Sequence, residues 1–345
     1  MRGIRLEGAS ASSVIAVGES LSRLNRYCDE ARTFIVTDRV VKALYGERLS
    51  GWPVIEIGAG ETSKTLETVE GLYRSLLGLG VDRSFCLVGF GGGIVCDVTG
   101  FAASTYLRGL QFGFVPTTLL AQVDAAVGGK NGVNLDGYKN LIGTFTQPAF
   151  VLCDHDLLAT LPEEELKNGF AEVIKEAAIA DGRFFTFLEE KRQDALRLNR
   201  RVISRIVYDA LAIKVAIVSA DERESGERRK LNFGHTVGHA IEKVHGLSHG
   251  RAISLGIVAA SRLSEAMGLM EEKDVRRIEE LLSAFGLPVR YGMETGPVLD
   301  AIGKDKKREG EKIHIVLLDR IGKARTVPVM QDSLKGVIDD LCQPR

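Results

Sequence analysis

Histidines are concentrated in one short part of this chain. Four of its six histidines lie within fifteen residues, at His235, His239, His245 and His249. His235 and His239 are four residues apart, so on a helix both imidazoles project from one face and converge on one metal ion or one substrate. An open metal site also needs a hard third ligand, and Glu172 is the best candidate because its apolar neighbours predict burial, which is costly for an unpaired carboxylate. The pattern predicts a metal site and leaves open which histidines are its ligands.

Two glycine-containing segments follow strand-like runs and open helix-like ones. Residues 91–97 (GGGIVCD) would let backbone N–H groups approach a pyrophosphate at a helix N-terminus. Their spacing does not fit the GxGxxG dinucleotide fingerprint, and a plain tight turn is the competing interpretation. Residues 58–64 (GAGETSK) have a similar arrangement, for which a helix cap is the competing interpretation.

Lysines adjoin glycines twice in the middle of the chain, in residues 124–130 (DAAVGGK) and 137–140 (GYKN). Glycines let the backbone of a loop come close to a phosphate that ammonium groups can neutralise. Lysines on a solvated loop are the competing interpretation. Residues 221–230 (DERESGERRK) form a block of mixed charge, which by composition alone predicts a solvated loop.

The elements that must position these residues divide the chain into two halves. Up to residue ~155, short apolar runs alternate with amphipathic stretches, which predicts a parallel α/β sheet. After Pro162 the pattern is helical with charged faces, and two short runs at 312–318 and 324–327 predict a hairpin. We therefore predict an α/β domain over residues 1–158 and a mostly α-helical domain over residues 159–345.

Composition narrows the class of protein. The 345 residues are 45% hydrophobic and 26% charged, which suits two domains that each bury a core. Forty-five basic against forty-six acidic side chains give a formal net charge of -1, so no global field favours nucleic acid or an anionic membrane. The chain shows no bilayer-length apolar stretch and no signal-peptide pattern, and its five scattered cysteines form no CxxC pair. We expect a cytoplasmic protein with reduced thiols that binds neither nucleic acid nor membranes.

Several motifs, in this order along the chain, resemble the 3-dehydroquinate synthase family of sugar-phosphate cyclases. They are GGGIVCD (91–97), the stretch 103–140, AEVIK (171–175), DERESGERRKLNFGHTVGHAIE (221–242) and SHG (248–250). The resemblance covers nearly the whole chain. It implies an N-terminal Rossmann-like NAD-binding α/β domain, a C-terminal α-helical metal- and substrate-binding domain, and an active site in the cleft between them. The chain departs from the family's usual glycine at Cys96, tyrosine at Glu176 and glutamate at Arg251, none of which is an implied ligand.

The resemblance also implies roles for individual residues. The metal, normally zinc with cobalt as the alternative, would be held by Glu172, His235 and His249, while His239 faces the substrate. NAD would lie on Asp38, Glu61, Lys64, Gly91, Gly92, Gly93, Asp97, Thr117, Thr118, Lys139 and Asn140. The substrate, 3-deoxy-D-arabino-heptulosonate 7-phosphate, would meet Asp124, Lys130, Asn140, Lys175, Lys214, Glu224, Arg228, Asn232, His239 and one of Lys306 or Lys307. The family is commonly a homodimer, and Arg108 would reach the phosphate bound by the neighbouring subunit.

The implied reaction accounts for these residue types. A metal on the hydroxyls beside the reacting carbon lowers their pKa, and NAD⁺ removes a hydride to give a ketone. The neighbouring proton becomes acidic, phosphate is eliminated, NADH returns the hydride, and the ring opens and recloses by an aldol step to 3-dehydroquinate. Lysine and arginine side chains suit the phosphate and the carboxylate of such a substrate.

Three other functions compete with this interpretation. The first is a sibling cyclase making an inosose, a valiolone or an amino-dehydroquinate. Most of these are disfavoured, because a substrate without a carboxylate would leave Lys214 and Arg228 unpaired. A metal-dependent polyol-phosphate dehydrogenase would accumulate NADH as a product. A non-catalytic metal- and nucleotide-binding module is hard to reconcile with so many clustered cationic residues.

Overall fold

The chain folds into two compact units that interleave along the sequence. The structure, a computed structural model, describes residues 2–8, 11–303, 308–309 and 312–342. The first unit comprises Met1–Leu166 and Ile203–Arg223, and the second comprises Lys167–Val202 and Glu224–Arg345. The sequence predicts one division, between residues 158 and 159, whereas Ile203–Arg223 lies with the first unit. Lys306 and Lys307, one of which is predicted to meet the substrate, lie outside the described residues.

Strands and helices alternate through the first part of the chain, and helices predominate in the second. The strands are β1 Arg2–Glu7, β2 Ser12–Val17, β3 Thr33–Asp38, β4 Val54–Ile57, β5 Cys86–Gly91, β6 Gln111–Pro116, β7 Lys130–Leu135, β8 Tyr138–Phe145, β9 Phe150–Cys153, β10 Arg308–Glu309, β11 Lys312–Arg320 and β12 Lys323–Met330. The α-helices are α1 Arg39–Tyr45, α2 Leu66–Gly78, α3 Gly93–Thr105, α4 Glu163–Ala180, α5 Gly182–Leu196, α6 Arg200–Ala220, α7 His235–His245, α8 His249–Ala266, α9 Glu272–Ala284, α10 Thr295–Gly303 and α11 Asp332–Cys342. None of the helices in the described residues is both long and apolar enough to cross a membrane.

A seven-stranded sheet organises the first unit, in the order β1-β2-β9-β6-β5-β3-β4. Every neighbouring pair from β2 to β4 is parallel, and the edge strand β1 pairs antiparallel with β2. The parallel strands are almost continuous apolar runs, and Ile35, Val88 and Val151 are fully buried in them. This confirms the α/β sheet that the alternating pattern predicts.

The second unit is built mainly from helices around α8. Its residues Ala252 to Ala259 are buried on every side, as expected for a central helix of a core. A three-stranded sheet in the order β10-β11-β12 is added to these helices, and β11 and β12 pair antiparallel across a tight turn. The mostly helical second part and the predicted hairpin are therefore both confirmed.

Helices α7 and α8 pack closely at a pair of glycines. A Cβ on Gly256 of α8 would lie 1.9 Å from the carbonyl oxygen of Gly234, which immediately precedes α7. Such a distance is far inside van der Waals contact, and the obstructing atoms belong to the backbone, which cannot swing aside. Gly256 therefore allows the short distance between α7 and α8, the two helices that begin with His235 and His249.

We predict that Gly256→Ala destabilises the fold by about 3 kcal/mol or more, because overpacking a tight helix contact forces the backbone to move. Denaturant or thermal unfolding followed by circular dichroism would measure the change. Gly71→Ala is the matched control, since Gly71 lies in α2 with nothing within 4 Å of a Cβ. It should stabilise the chain by ~0.5–1 kcal/mol. Equal stability of the two variants would contradict the close contact.

Candidate functional site

A carboxylate and two imidazoles converge in the second unit. Glu172 lies within α4, while His235 and His249 are the first residues of α7 and α8. Oε1 of Glu172 is 3.5 Å from Nε2 of His235 and 3.2 Å from Nε2 of His249. One ligand atom from each residue lies within 4.8 Å of the others. Two imidazole nitrogens and one carboxylate oxygen form a donor set that fits a catalytic divalent metal with an open position.

Local backbone structure orients both imidazoles toward Glu172. Gly234 adopts the left-handed conformation (φ 79°) that turns the chain into α7. Nδ1 of His235 then lies 3.1 Å from the carbonyl oxygen of Phe233, to which it donates as an N–H, so Nε2 is left with its lone pair toward Glu172. At the start of α8, the backbone N–H of Gly250 donates to Oδ1 of Asn168, 2.9 Å away, and ties this helix to α4.

The cluster is buried, and its charges are strongly coupled. Burial by itself raises the pKa of the Glu172 carboxyl, but the Lys175 ammonium, which pairs with it one helical turn away, and the two histidines hold that pKa well below its usual range. Burial lowers the pKa of His235 to about 3, so this imidazole is neutral, as a metal ligand must be. Burial also lowers the pKa of His249, but hydrogen bonds to Glu172 and Glu242 outweigh it and raise the pKa to about 10.

These pKa values predict that metal affinity rises with pH. At neutral pH the metal-free His249 is a cationic imidazolium, and an incoming metal must displace one of its two ring protons. His235 is already a neutral imidazole, and Glu172 is already a carboxylate. One proton should therefore be released per ion, and the dissociation constant should fall about tenfold per pH unit between pH ~6 and ~9. Competition with a chromophoric chelator at several pH values would measure it. A dissociation constant independent of pH would contradict the protonated His249.

The other two histidines of the cluster are placed differently. His239 is exposed, and its ring centroid is 5.0 Å from that of His235 and 6.1 Å from that of His249. A second group, His239, Glu242 and His249, also brings its ligand atoms within 4.8 Å of one another. His245, for which no role is predicted, lies with its ring centroid 6.5 Å from that of Tyr291.

Glu242 is a site residue that the sequence reasoning missed. It lies seven residues after His235, or two turns of α7, and so shares the face that carries His235 and His239. This spacing is visible in the sequence. Its carboxylate Oε2 is 3.4 Å from Nδ1 of His249.

The charged block before α7 is only partly a solvated loop. Residues Glu227–Asn232 form a 3₁₀ helix in which Arg228 is 3% exposed. The prediction from composition is therefore wrong at Arg228, because burial depends on what the turn packs against and not on the charge of its neighbours. Nδ2 of Asn232 donates to Oε1 of Glu224, so two of the residues predicted to meet substrate are hydrogen-bonded to each other.

In the first unit, Lys64 joins two other residues predicted to bind NAD. Its ammonium donates to a carboxylate oxygen of Asp97 and to Oδ1 of Asn140. Burial raises the pKa of Asp97 to about 6, although Lys64 opposes the shift. Helix α3 begins at Gly93, and its N-cap residue Gly92 offers no side chain to cap it. The first N–H groups of α3 thus suit a pyrophosphate. A Cβ on Gly91 would lie only 2.5 Å from the Val95 side chain, and one on Gly93 only 3.2 Å from the Ala125 side chain.

The remaining residues predicted to bind NAD lie around strand ends of this unit. Asp38 ends β3 and caps α1, accepting from the N–H groups of Val40 and Val41. Glu61 accepts from Nδ2 of Asn134, and its carboxylate is 3.9 Å from Nζ of Lys139. Lys139 and Asn140 belong to β8 of the β7–β8 hairpin, where the sequence pattern indicates a loop. Thr117 and Thr118 follow β6, and Oγ1 of Thr118 accepts from the N–H of Ala121.

Asp124 and Lys214, two predicted substrate residues, are paired in the first unit. Asp124 lies in a π-helical turn, Ala121–Ala125, and the Lys214 ammonium of α6 donates to its carboxylate and to its carbonyl oxygen. Lys214 is 5% exposed. Lys130 is the first residue of β7, and its side chain is exposed. Arg108 is exposed on a short turn after α3, with a positive φ of 66°.

Comparisons with known proteins agree on one family. The family model described as 3-dehydroquinate synthase N-terminal matches residues 54–168, and the one described as 3-dehydroquinate synthase C-terminal matches residues 169–308. The 3-dehydroquinate synthase of Desulforamulus reducens is 42% identical over 320 residues, which cover 88% of this chain and 89% of the relative.

Solved structures of two related enzymes have the same fold. A 2-epi-5-epi-valiolone synthase from Streptomyces hygroscopicus subsp. jinggangensis, solved with NAD⁺ and Zn²⁺, is 28% identical with a TM-score of 0.88, over 99% of both chains. A 2-deoxy-scyllo-inosose synthase in complex with carbaglucose-6-phosphate, NAD⁺ and Co²⁺ is 27% identical with a TM-score of 0.86, over 98% of this chain and 100% of that one. The resemblance of the sequence motifs is thereby confirmed.

Proposed function

This chain belongs to the 3-dehydroquinate synthase family, and we propose that it converts 3-deoxy-D-arabino-heptulosonate 7-phosphate into 3-dehydroquinate and phosphate. It is a carbon–oxygen lyase that acts on a phosphate ester, in the shikimate route to chorismate and the aromatic amino acids. The observation that carries the proposal is the convergence of Glu172, His235 and His249 beside Lys175, in a chain with this family membership.

We propose a divalent metal, zinc or cobalt, and NAD as its cofactors. Glu172, His235 and His249 would hold the metal, and the α3 N-terminus with Lys64 and Asp97 would hold NAD. Bound there, the metal would acidify substrate hydroxyls, and NAD⁺ would accept a hydride and give it back. The two related structures solved with NAD⁺ and Co²⁺ or Zn²⁺ support this assignment.

The protein's own side chains would bind and orient the substrate. Lys214 and Arg228 are buried cations suited to its carboxylate, and an exposed lysine such as Lys130 suits its phosphate. Lys175 is 1% exposed and holds Glu172 ionised, so that this carboxylate stays available as a ligand. His239, exposed beside the metal ligands, would hydrogen-bond the reacting end of the substrate.

A sibling cyclase activity is the main alternative. The two sibling enzymes are 27% and 28% identical to this chain, whereas the Desulforamulus 3-dehydroquinate synthase is 42% identical. The higher identity favours the carboxylate-bearing substrate over an inosose or valiolone precursor.

Phosphate release from 3-deoxy-D-arabino-heptulosonate 7-phosphate with catalytic NAD⁺ tests the proposal. We expect one phosphate per substrate, no accumulation of NADH, loss of activity on chelation and recovery with zinc or cobalt. Steady NADH formation would identify a dehydrogenase instead. No phosphate release by folded, metal-loaded protein would reject this substrate, and the carboxylate-free sugar phosphates would then be tested.

We also propose that the enzyme is a cytoplasmic homodimer. The family resemblance supports the dimer, and the exposed Arg108 supports a contribution to the neighbouring subunit's phosphate site. Light scattering coupled to size exclusion would measure the mass. A monomer with full activity would reject both the dimer and this role of Arg108.

A further inference from the structure

We infer that Glu242 is a positioning residue. By accepting a hydrogen bond from Nδ1–H of His249, it leaves the lone pair on Nε2 and orients that nitrogen toward the metal. The inference rests on the metal site of the proposed function and adds a residue to it. Nε2 of His249 is 3.2 Å from Oε1 of Glu172, and Nδ1 is 3.4 Å from Oε2 of Glu242. The imidazole therefore lies between two carboxylates, one for each ring nitrogen.

A neutral imidazole carries its hydrogen on one nitrogen and its lone pair on the other. When Nδ1–H donates to Glu242, the lone pair of Nε2 points to the position shared with Glu172 and His235. His235 is oriented in the same way by a different acceptor, the carbonyl oxygen of Phe233 at 3.1 Å. Each histidine ligand thus has its own acceptor on Nδ1, an arrangement that raises ligand basicity and restricts ring rotation.

The placement of Glu242 on α7 also points to a role in the site. It lies in the last turn of the helix, where the dipole disfavours a negative charge and where Lys243 and His245 also lie. Its side chain is only 14% exposed. Gly246 ends α7 in the left-handed conformation, and α8 begins at His249, so a short turn brings the carboxylate to the imidazole. A locally unfavourable residue held in this position is expected at a functional site.

The cluster of His239, Glu242 and His249 offers a competing role for Glu242, as a direct ligand of an ion. Such an ion would use Nδ1 of His249, the nitrogen that faces Glu242. The first cluster uses Nε2 and a fully buried carboxylate, whereas the second includes the exposed His239. With a single ion bound through Nε2 of His249, Glu172 is a ligand of the ion and Glu242 accepts from Nδ1–H, so both carboxylates have a partner. This favours a positioning role for Glu242.

Metal affinity and the absorption spectrum of bound Co²⁺ test this inference independently of turnover. In Glu242→Leu, which has no acceptor, the dissociation constant for Co²⁺ should rise about 10- to 100-fold with one ion still bound and with a changed visible spectrum. Glu242→Gln keeps an acceptor and should show a smaller rise, and it serves as the readout if the leucine variant does not fold. Glu280→Gln, an exposed glutamate on α9, is the matched control and should leave the constant unchanged.

The possible outcomes separate this inference from the proposed function. Unchanged affinity in both Glu242 variants overturns the positioning role. Two ions in the wild type and one in the Glu242 variants overturn it in favour of a direct ligand, as does a large loss of affinity in His239→Ala. If Glu172→Gln leaves metal affinity unchanged, the metal site of the proposed function fails. If the metal behaves as expected but no phosphate is released, the chosen substrate fails while the role of Glu242 stands.

Discussion

Glu172→Gln is expected to lose most of the bound metal and to lower turnover by about 10³-fold or more, which corresponds to ~4 kcal/mol. The substitution keeps the size of the side chain and removes the charge that faces both imidazoles. It also leaves the Lys175 ammonium buried without its carboxylate, which costs stability. Metal content after dialysis, together with phosphate release, would measure the effect. The unfolding midpoint would show whether activity is lost because the metal is absent or because the chain no longer folds.

His245→Ala is the matched control for the metal ligands. It replaces a histidine of the same cluster that lies against Tyr291 and belongs to neither candidate ligand group. Metal content and turnover should stay within about twofold of the wild type, because the substitution removes none of the candidate ligands. A metal-loaded, active Glu172→Gln variant, or an inactive His245→Ala variant, would show that the ligand set is wrong.

Lys214→Met is expected to lower kcat/KM by about 10²- to 10³-fold, because Lys214 is proposed to bind the substrate carboxylate and removing such a buried cation costs ~3–4 kcal/mol. The methionine retains the length of the apolar stem, while Asp124 loses the ammonium that pairs with it. Initial rates of phosphate release over a range of substrate concentrations would measure the change. Arg205→Met on the same helix is the control, since the Arg205 side chain is 49% exposed and its pair with Asp209 should matter little.

A substrate analogue makes this second prediction specific. With an analogue whose carboxylate is replaced by a carboxamide, the wild type and Lys214→Met should differ by less than about tenfold. Neither enzyme can then form an ion pair between residue 214 and a substrate carboxylate. An equal loss on both substrates would show that Lys214 acts by holding Asp124 or the fold, and would remove an argument against the sibling cyclases.

The sequence by itself determined much of the architecture and the identity of the metal-binding region. The buried strands and their order of appearance predict the parallel sheet, and the apolar periodicity after Pro162 predicts the helical unit. These patterns are local, since side chains repeat every second residue on a strand and every three to four on a helix. The clustered histidines are local in the same sense, because His235 and His239 share one helix.

Only the tertiary structure decided how these local pieces meet. Glu172 reaches the histidines from α4, and His249 does so from the start of α8, so no spacing within one helix could select them. The burial of Arg228, the second acceptor that Glu242 provides for His249, and the grouping of Ile203–Arg223 with the first unit are likewise contacts between distant segments. Contacts of this kind depend on packing in three dimensions, which residue type and sequence spacing do not encode directly.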